Sequence, residues 1–323
     1  MIPHDLHVIT AISNPCRYKT RYELYRNFAK HMKDSGVNLT TVELAFGDHT
    51  HEITEANNPN HIRVKSSHSC WHKENLLNIG FSRLPDNWKY AAWIDADITF
   101  TNPNWVDETL HMLQHSPICQ LFEEAHDLGP TGATIPGSKF KSFAWSHVNG
   151  IPRLPGTGYY GGAPVTADKT VGYYWHPGFA WGIRREAYDN LGGLIDWAVV
   201  GEADYIMARA IVGEVEKTLY PGVSDGYKAM AFEWQNRALK YIRKDLSFVK
   251  GSIYHHYHGK KANRQYWQRC DILTKTGFDP ALHLKKDSQG VYKLADRGDD
   301  ASILLRDSIR AYFSQRNEDE ISL

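Results

Sequence analysis

The first third of the chain alternates apolar runs with amphipathic stretches, and this alternation limits the fold more than any other feature of the sequence. Strands and helices that alternate in this way are typical of βαβ units, which build a mostly parallel sheet. The pattern predicts strands at 6–12, 39–46, 90–94 and 117–122, and helices at 17–33, 71–84 and 104–115. An α/β fold of this kind binds its ligands at the carboxyl ends of the strands.

The pattern changes after residue 126. Residues 127–177 are rich in Gly, Pro and Tyr and predict a long loop, which is usually a functional segment when it lies inside a compact domain. Regular elements are predicted again beyond it, with strands at 179–183 and 248–256 and helices at 202–212, 231–244 and 301–316. The 231–244 helix is basic.

Composition excludes several classes of protein. The chain has 323 residues, of which 42% are hydrophobic and 12% aromatic, so it can bury a large core and is not a disordered chain. Lys and Arg balance Asp and Glu at 37 each, which argues against a general nucleic-acid coat protein. No run approaches 18 apolar residues, the first residues lack a signal peptide, and four cysteines are scattered. These features predict a cytoplasmic protein with no membrane partner.

The balanced charge conceals a basic segment. Residues 237–269 hold nine Lys or Arg side chains and one acidic side chain, so the segment carries a formal charge of +8 and the remainder carries −8. A local basic surface of this size predicts a polyanionic partner, although a basic run is also common on a solvated helix.

Two carboxylates stand where an apolar strand is predicted to end. Residues 93–97 read WIDAD, which puts Asp95 and Asp97 directly after the strand. Mg²⁺ and Mn²⁺ prefer oxygen ligands and bridge carboxylates to diphosphate oxygens. The motif therefore indicates a divalent metal site, with an ordinary acidic turn as the alternative.

Flanking blocks give this motif a context. Residues 73–81 (KENLLNIGF) precede it, and residues 176–185 (HPGFAWGIRR), 191–196 (LGGLID) and 201–204 (GEAD) follow it, while 13–17 (SNPCR) opens the chain's first predicted loop. Taken in this order, the blocks resemble the GT-A glycosyltransferases of the galactosyltransferase type. The likeness covers about residues 6–260 as three ordered blocks, which are 13–17, 73–81 with the acidic motif at 93–97, and 176–204.

The resemblance implies a GT-A fold, in which helices flank a mostly parallel sheet, with a C-terminal helical extension. It implies a transferase domain over 1–260, with a nucleotide-sugar half at 1–125 and an acceptor half at 126–260. A basic, helical extension then covers 261–323. The implied reaction is the metal-dependent transfer of a sugar from a nucleotide sugar, such as a UDP-sugar, to an acceptor hydroxyl.

The same resemblance implies the metal ligands. Asp97 would bind Mn²⁺ or Mg²⁺, and Asp95 would contact the ribose or a metal-bound water, unless one of them caps the next helix. A late histidine completes the site in such enzymes, and His258 before a basic loop matches it best, with His256 second. Strand alternation puts His256 and His258 on one face and His255 on the other.

The resemblance also implies a general base at the Gly-Glu-x-Asp helix start. Asp204 is the first choice and Glu202 the second, and the base would deprotonate the acceptor in an inverting displacement. Helix capping is the alternative role for either residue. Residues 196–200 (DWAVV) depart from the tryptophan-rich run of the family, which leaves the acceptor type open.

Further residues are candidates for binding the donor. Arg17 and Arg21 could pair with phosphate, Glu43 or Asp48 could hold ribose or uracil, and Asn78 could hydrogen-bond near the metal motif. The alternative for the arginines and the two acidic residues is an ordinary solvated position on a helix or loop. The alternative for Asn78 is packing on a helix face.

Residues 258–269 (HGKKANRQYWQR) interleave basic and aromatic side chains. Lys260 and Arg264 in this run suit either a diphosphate lid or a polyanionic acceptor, with a solvated amphipathic helix as the alternative. The run is also similar to the phage and kinetoplastid glycosyltransferases that modify hydroxymethylated pyrimidines in DNA. This likeness implies a DNA acceptor and, for a phage protein, the host cytoplasm. The rivals are a surface-glycan or lipid-linked acceptor and a non-catalytic nucleotide-sugar-binding module.

Overall fold

The computed structural model describes residues 5–151, 175–295 and 297–321. The described strands are β1 Leu6–Ser13, β2 Asn38–Phe46, β3 His61–Ser66, β4 Tyr90–Ile94, β5 Ile98–Phe100, β6 Ile118–Gln120, β7 Glu124–Leu128, β8 Thr134–Ser142, β9 Trp175–His176, β10 Ala180–Arg184, β11 Leu246–Phe248, β12 Ser252–His255, β13 Leu284–Lys286 and β14 Tyr292–Leu294. The described α-helices are α1 Lys19–Asp34, α2 Lys73–Phe81, α3 Trp105–His115, α4 Phe143–Val148, α5 Arg185–Leu191, α6 Ala203–Ile211, α7 Asp225–Tyr241, α8 Asp271–Lys275, α9 Pro280–His283 and α10 Asp300–Gln315.

A seven-stranded sheet forms the centre of the fold. Its order is β11-β6-β10-β4-β1-β2-β3, and β1 runs parallel to both of its neighbours. The exception is β10, which is antiparallel to β4 and β6. The prediction of an α/β fold with a mostly parallel sheet is confirmed, and the four strands predicted in the first third all belong to this sheet.

Helices cover both faces of the sheet because its inner strands are apolar on both sides. In β4, Ala92 packs with one hydrophobic core and Trp93 with the other, as the two-residue period of a strand requires. Phe28 of α1 and Trp105 of α3 belong to the first core, and helices α2, α5, α6 and α7 contribute to the second. This double coverage fixes the strand ends as the place where a site can open.

The helix boundaries shift from the predicted ones for local reasons. Helix α1 begins two residues late because Arg17 has a positive φ of 56°, outside the helical region. Helix α7 begins six residues early because the Ser224 hydroxyl accepts a hydrogen bond from the Tyr227 N–H and caps the helix. Helix α2 is shorter than predicted at both ends.

The long loop predicted over 127–177 is wrong in its described part. That part contains the end of β7, all of β8 and α4, and the short strand β9, while 152–174 lie outside the described residues. Strand β8 is exposed or half-buried at every residue but one and carries Gly, Ser and Lys, so it has no apolar alternation that the sequence could reveal.

The strand predicted over 248–256 is two strands in different sheets. Gly251 takes a φ of +112° between β11, at the edge of the central sheet, and β12, inside a second sheet. The second sheet has the order β5-β12-β7-β8-β9. Its register sets His255 of β12 beside Ile98 of β5 on one side and beside Asp127 of β7 on the other.

Among the described residues, no helix has both the length and the apolarity to cross a bilayer. The division of the chain at residue 260 stays a prediction.

Candidate active site and metal centre

The site forms where β4 of the central sheet passes into β5 of the second sheet. The turn between them carries Asp95 and Asp97, and it is fixed by two backbone hydrogen bonds. The Asp95 N–H donates to the Phe179 carbonyl at 2.7 Å, and the His256 N–H donates to the Asp97 carbonyl at 2.8 Å. The end of β12 therefore lies against the acidic turn.

Asp97, His255 and His258 bring their ligand atoms together. One oxygen or nitrogen from each lies within 4.8 Å of the others, and Nε2 of His258 is 3.1 Å from Oδ2 of Asp97. The other oxygen of Asp97, Oδ1, is buried and makes no hydrogen bond. A buried carboxylate oxygen without a partner is costly unless a ligand satisfies it, so this donor set fits a divalent cation.

A second carboxylate orients one of these histidines. Oδ1 of Asp127 lies 2.7 Å from Nδ1 of His255, and both side chains are buried. Histidine ligands of metals commonly donate their other ring N–H to a carboxylate in this way, which fixes the tautomer and leaves Nε2 free to bind. Lys261 also pairs with Asp127 and keeps it charged.

The protonation states suit metal binding. Burial, with the nearby Arg264 charge, lowers the pKa of His258 to about 3 despite its hydrogen bond with Asp97. Burial alone would raise the pKa of Asp97, but the His258 contact and the neighbouring positive charges hold it well below its usual range. A neutral imidazole and an ionised carboxylate are the forms that bind metals.

The other two predicted ligands have different surroundings. Nε2 of His256 lies 2.8 Å from Oγ1 of Thr99, and His256 is not in the cluster. The alternation argument was wrong because β12 ends at His255, so the two-residue period does not extend to His258. Asp95 faces the same cavity, where its Oδ1 accepts from Nζ of Lys73 at 2.9 Å.

Arginines share the cavity with the cluster. Arg21, Arg264, Arg269 and Arg316 all line the cavity. Nη2 of Arg264 lies 3.0 Å from Nε2 of His258, and the Nε atoms of Arg264 and Arg269 are buried without hydrogen-bond partners. Unpartnered guanidinium donors that share a cavity with a candidate cation site fit the oxygens of a diphosphate.

The two candidate bases flank the start of α6. Asp204 lies against Gly178, where a Cβ would come within 2.3 Å of Oδ2, so the absence of a side chain at 178 makes room for the carboxylate. Glu202 has a positive φ of 77° and faces Arg269, with Oε1 3.5 Å from Nη2. Burial raises the pKa of Glu202, against the opposing effect of Arg269.

Five predicted donor-binding residues do not line the cavity. Arg17 is exposed and contacts His49 and Glu52, and Asp48 lies in an exposed turn. Glu43 is buried, but its carboxylate is saturated by the N–H groups of 52–54 and the Thr54 hydroxyl.

Asn78 and Lys260 complete this set. The Asn78 amide bonds the N–H and carbonyl of Leu194 at 2.9 and 3.0 Å and so ties α2 to the Gly-Gly turn. Lys260 pairs with Glu320 at 3.1 Å.

The basic segment 237–269 does not form one continuous basic surface. Of its nine basic side chains, Arg264 and Arg269 are buried in the cavity wall, and Arg237, Lys260 and Lys261 pair with acidic side chains. The four that are exposed are Lys240, Arg243, Lys244 and Lys250.

One large cavity joins the metal cluster, arginine side chains and the two candidate bases. Its volume is about 1120 Å³, and it extends from the metal cluster past Asp204 to a set of aromatic side chains. Trp175 and Tyr205 stack with ring centroids 5.9 Å apart, and Arg209 lies 4.8 Å from the Trp175 ring. Tyr220 and Trp267 form a second pair at 5.7 Å.

Sequence reasoning missed several groups of the site: His255, Asp127, Lys73, Glu74, Arg316 and Glu318. Lys73 and Glu74 stand in the block that carried the family resemblance, and this block could have indicated them. Asp127 and Glu318 reach the site through sheet register and a distant chain segment, for which the sequence carries no signal.

Comparisons with known proteins find structural similarity only. No family model and no curated protein matches the sequence. The catalytic domain of Drosophila β1,4-galactosyltransferase 7 with xylobiose is 15% identical, with a TM-score of 0.34 over 67% of this chain. This chain spans 63% of that domain's length.

Two further solved structures are similar. S. aureus TarS 1–349 in complex with UDP-GlcNAc is 11% identical, with a TM-score of 0.42 over 79% of this chain and 59% of that one. Glucosyl-3-phosphoglycerate synthase from Mycobacterium tuberculosis, in complex with Mn²⁺, UDP and phosphoglyceric acid, is 10% identical, with a TM-score of 0.37 over 91% and 81%. At these values the reaction of this chain has to be inferred from its own site.

Proposed function

We propose that this chain is a metal-dependent GT-A glycosyltransferase, which transfers a sugar from a nucleotide sugar, preferably a UDP-sugar, to an acceptor hydroxyl. One observation carries the proposal. Asp97 has a buried, unpartnered oxygen beside two histidines, and Arg264 and Arg269 have buried, unpartnered Nε atoms in the same cavity. A divalent cation and a diphosphate satisfy both sets of groups at once.

Asp97, His255 and His258 would hold the cation, with Asp127 orienting His255. A set of two imidazoles and one carboxylate favours Mn²⁺ over Mg²⁺, because Mg²⁺ prefers oxygen ligands. When bound, the cation neutralises the charge that develops on the leaving diphosphate. In this proposal Asp95 contacts the ribose or a metal-bound water.

The chain's own cations would bind the diphosphate. Arg264 and Arg269 present donors that the protein leaves unused, and Arg21 lines the same wall. Lys73 pairs with Asp95 and keeps a positive charge beside the acidic turn. Fixed donors of this kind stabilise the developing charge without the reorganisation that water would need.

Asp204 would be the general base. Its Oδ1 accepts a short-range bond from the Tyr205 N–H at 2.8 Å, and its carboxylate borders the cavity beside Gly178. It would take the proton of the acceptor hydroxyl as that oxygen attacks the sugar carbon, which inverts the configuration. Glu202 remains second because Arg269 holds it.

For the acceptor, we propose a hydroxymethylated pyrimidine in DNA. The aromatic pairs Trp175–Tyr205 and Tyr220–Trp267 support a flat or ring-shaped acceptor, since both bases and sugars stack on aromatic rings. The dispersal of the basic segment weakens the argument from charge, so a surface-glycan or lipid-linked acceptor remains the rival. A cytoplasmic location and the lack of a membrane partner stay predictions.

The test is a screen of nucleotide sugars with Mn²⁺ against hydroxymethylated DNA and control glycans, with product stereochemistry as the readout. Asp204→Asn is the matched variant, because it keeps the shape of the side chain and does not touch the metal cluster. We expect it to bind UDP and Mn²⁺ as the wild type does and to lose transfer. Binding of UDP without turnover of any donor would instead support the non-catalytic module.

A salt titration separates the acceptors. Binding of duplex DNA that falls steeply with salt supports the DNA acceptor, since released counterions give that dependence. The absence of DNA binding at low salt removes it and leaves the glycan or lipid-linked acceptor.

A further inference from the structure

The carboxylate of Glu318 comes from the segment after α10 and contacts Arg21 and Arg316, two arginines that line the cavity. Oε1 accepts from Nη2 of Arg21 at 2.9 Å and from Nε of Arg316 at 2.6 Å, and Oε2 accepts from Nε of Arg21. Oε2 is also 3.8 Å from Nδ1 of His258. The Glu318 side chain is 2% exposed, so these cations replace water as the partners of its carboxylate.

The charge on this carboxylate is maintained by its partners. Burial would raise the pKa of Glu318, but the positive charges of Arg21 and Arg316 outweigh burial and hold that pKa well below its usual range. Both carboxylate oxygens accept from guanidinium groups, so the contacts of Glu318 with the two arginines are charge-assisted.

The neighbouring residues hold the segment in place on both sides. We name residues 317–320 the acidic clasp. Asp319 accepts from the first N–H groups of α1, those of Lys19 and Thr20, at 3.0 and 2.8 Å. Glu320 pairs with Lys260 at 3.1 Å and accepts from the Asn263 side chain at 3.1 Å. Each acidic residue of the clasp thus has its own partner.

The loop that carries His258 is shaped to receive the clasp. Gly259 has a φ of +81°, and a Cβ at this position would lie 2.8 Å from the Asn317 carbonyl oxygen and 2.9 Å from Cα of Glu318. Only glycine allows this approach, so the backbone of the clasp packs directly on the residue that follows the candidate ligand.

We propose that Glu318 is a positioning residue for the nucleotide-sugar donor. The Glu318 carboxylate fixes Arg21 and Arg316 in the cavity wall that faces the diphosphate. The inference rests on the proposed function and goes beyond it. Arg316 is buried and Arg21 is partly buried, and both bond the same carboxylate, so without this shared anion the two like charges would repel each other and lose their orientation. Fixing them before the donor binds removes the cost of ordering two long side chains in the complex.

The test uses the full chain and measures UDP binding with Mn²⁺ present, Mn²⁺ binding alone, and KM against kcat for the donor. Glu318→Gln keeps the shape and removes the charge. We expect it to weaken UDP binding by about tenfold and raise the donor KM, with Mn²⁺ binding within about twofold of the wild type. Asp319→Asn, which changes the same clasp away from the arginines, is expected to leave UDP binding within about twofold.

Glu318→Asp covers the case in which Glu318→Gln does not fold. It keeps the charge but withdraws the carboxylate by one methylene, so UDP binding is expected to weaken by about threefold. Wild-type UDP affinity in the folded Glu318 variants overturns the inference. Tighter binding also overturns it, because Glu318 would then compete with the diphosphate. A wild-type chain that binds neither Mn²⁺ nor UDP overturns the proposed function itself.

Discussion

Strands β2 and β4 lie on either side of β1, and each leads to a carboxylate near its carboxyl end, but the two carboxylates have different surroundings. Glu43 of β2 is 3% exposed, and three backbone N–H groups and one hydroxyl saturate it. Asp97 after β4 has an equally buried oxygen, Oδ1, with no partner.

The difference shows what marks a functional carboxylate. Hydrogen bonds from the chain satisfy the Glu43 carboxylate, and through them Glu43 holds the loop at 52–54. Oδ1 of Asp97 has no partner although it lies among two imidazoles, and a buried polar atom without a partner is stable only when a ligand satisfies it. Position at a strand end is common to both residues, so position alone does not separate them.

The largest expected effect is on Asp97. Asp97→Asn removes the negative charge of the candidate metal site, so we expect Mn²⁺ binding to be lost and transferase activity to fall by about a thousandfold. Calorimetric titration with Mn²⁺ and the rate of UDP-sugar hydrolysis measure both. Unchanged Mn²⁺ affinity would remove the distinction drawn between Asp97 and Glu43.

The next effect compares adjacent histidines. His255→Gln is expected to lower Mn²⁺ affinity by about a hundredfold, because His255 belongs to the cluster and Asp127 orients it. His256→Gln serves as the matched control and is expected to stay within about threefold, since its ring is bonded to Thr99. If the two effects were reversed in the Mn²⁺ titration, His256 would be the ligand.

Glu43→Gln should show the opposite profile from Asp97→Asn. We expect the free energy of unfolding to fall by about 2 kcal/mol, because an amide cannot accept from all the donors around a carboxylate. Chemical denaturation measures the loss, and Mn²⁺ affinity should not change. A fall in Mn²⁺ affinity without a loss of stability would mean that Glu43 belongs to the site.

Glu74 is intermediate between Glu43 and Asp97, because it is buried like Glu43 and lines the cavity like Asp97. Its expected effect on stability is the smallest of those predicted. Glu74 is buried in the cavity wall, and burial raises its pKa to about 7 against the opposing charge of Lys73. A carboxyl whose pKa is raised on folding contributes stability that is fully present below about pH 4.5 and is lost as pH rises through 7. We expect the free energy of unfolding to fall by about 1 kcal/mol between pH 6 and 7.

Glu74→Gln removes this titrating group and is expected to flatten that part of the stability curve. Denaturation at pH 6 and pH 7 of both proteins measures the difference. An equal slope in the two proteins would assign the pH dependence to another group.

The alternation of apolar and amphipathic stretches was enough to predict the central sheet, because strands buried on both faces must be apolar throughout. It also put Asp95 and Asp97 at the right edge. This pattern failed to reveal β8 and β3, where polar and partly exposed side chains leave little apolar period. It failed at 248–256 as well, where one apolar run contains two strands that belong to different sheets.

By itself, the sequence determined the α/β architecture, the acidic turn after β4 and a histidine-rich segment that could supply ligands. These features are local, since each follows from the period or order of neighbouring residues. Only the tertiary structure decided that His255 joins Asp97, that Asp127 orients it, and that Glu318 reaches Arg21 from 297 positions away. Such contacts depend on sheet register and on where a distant segment packs, and no local pattern encodes either one.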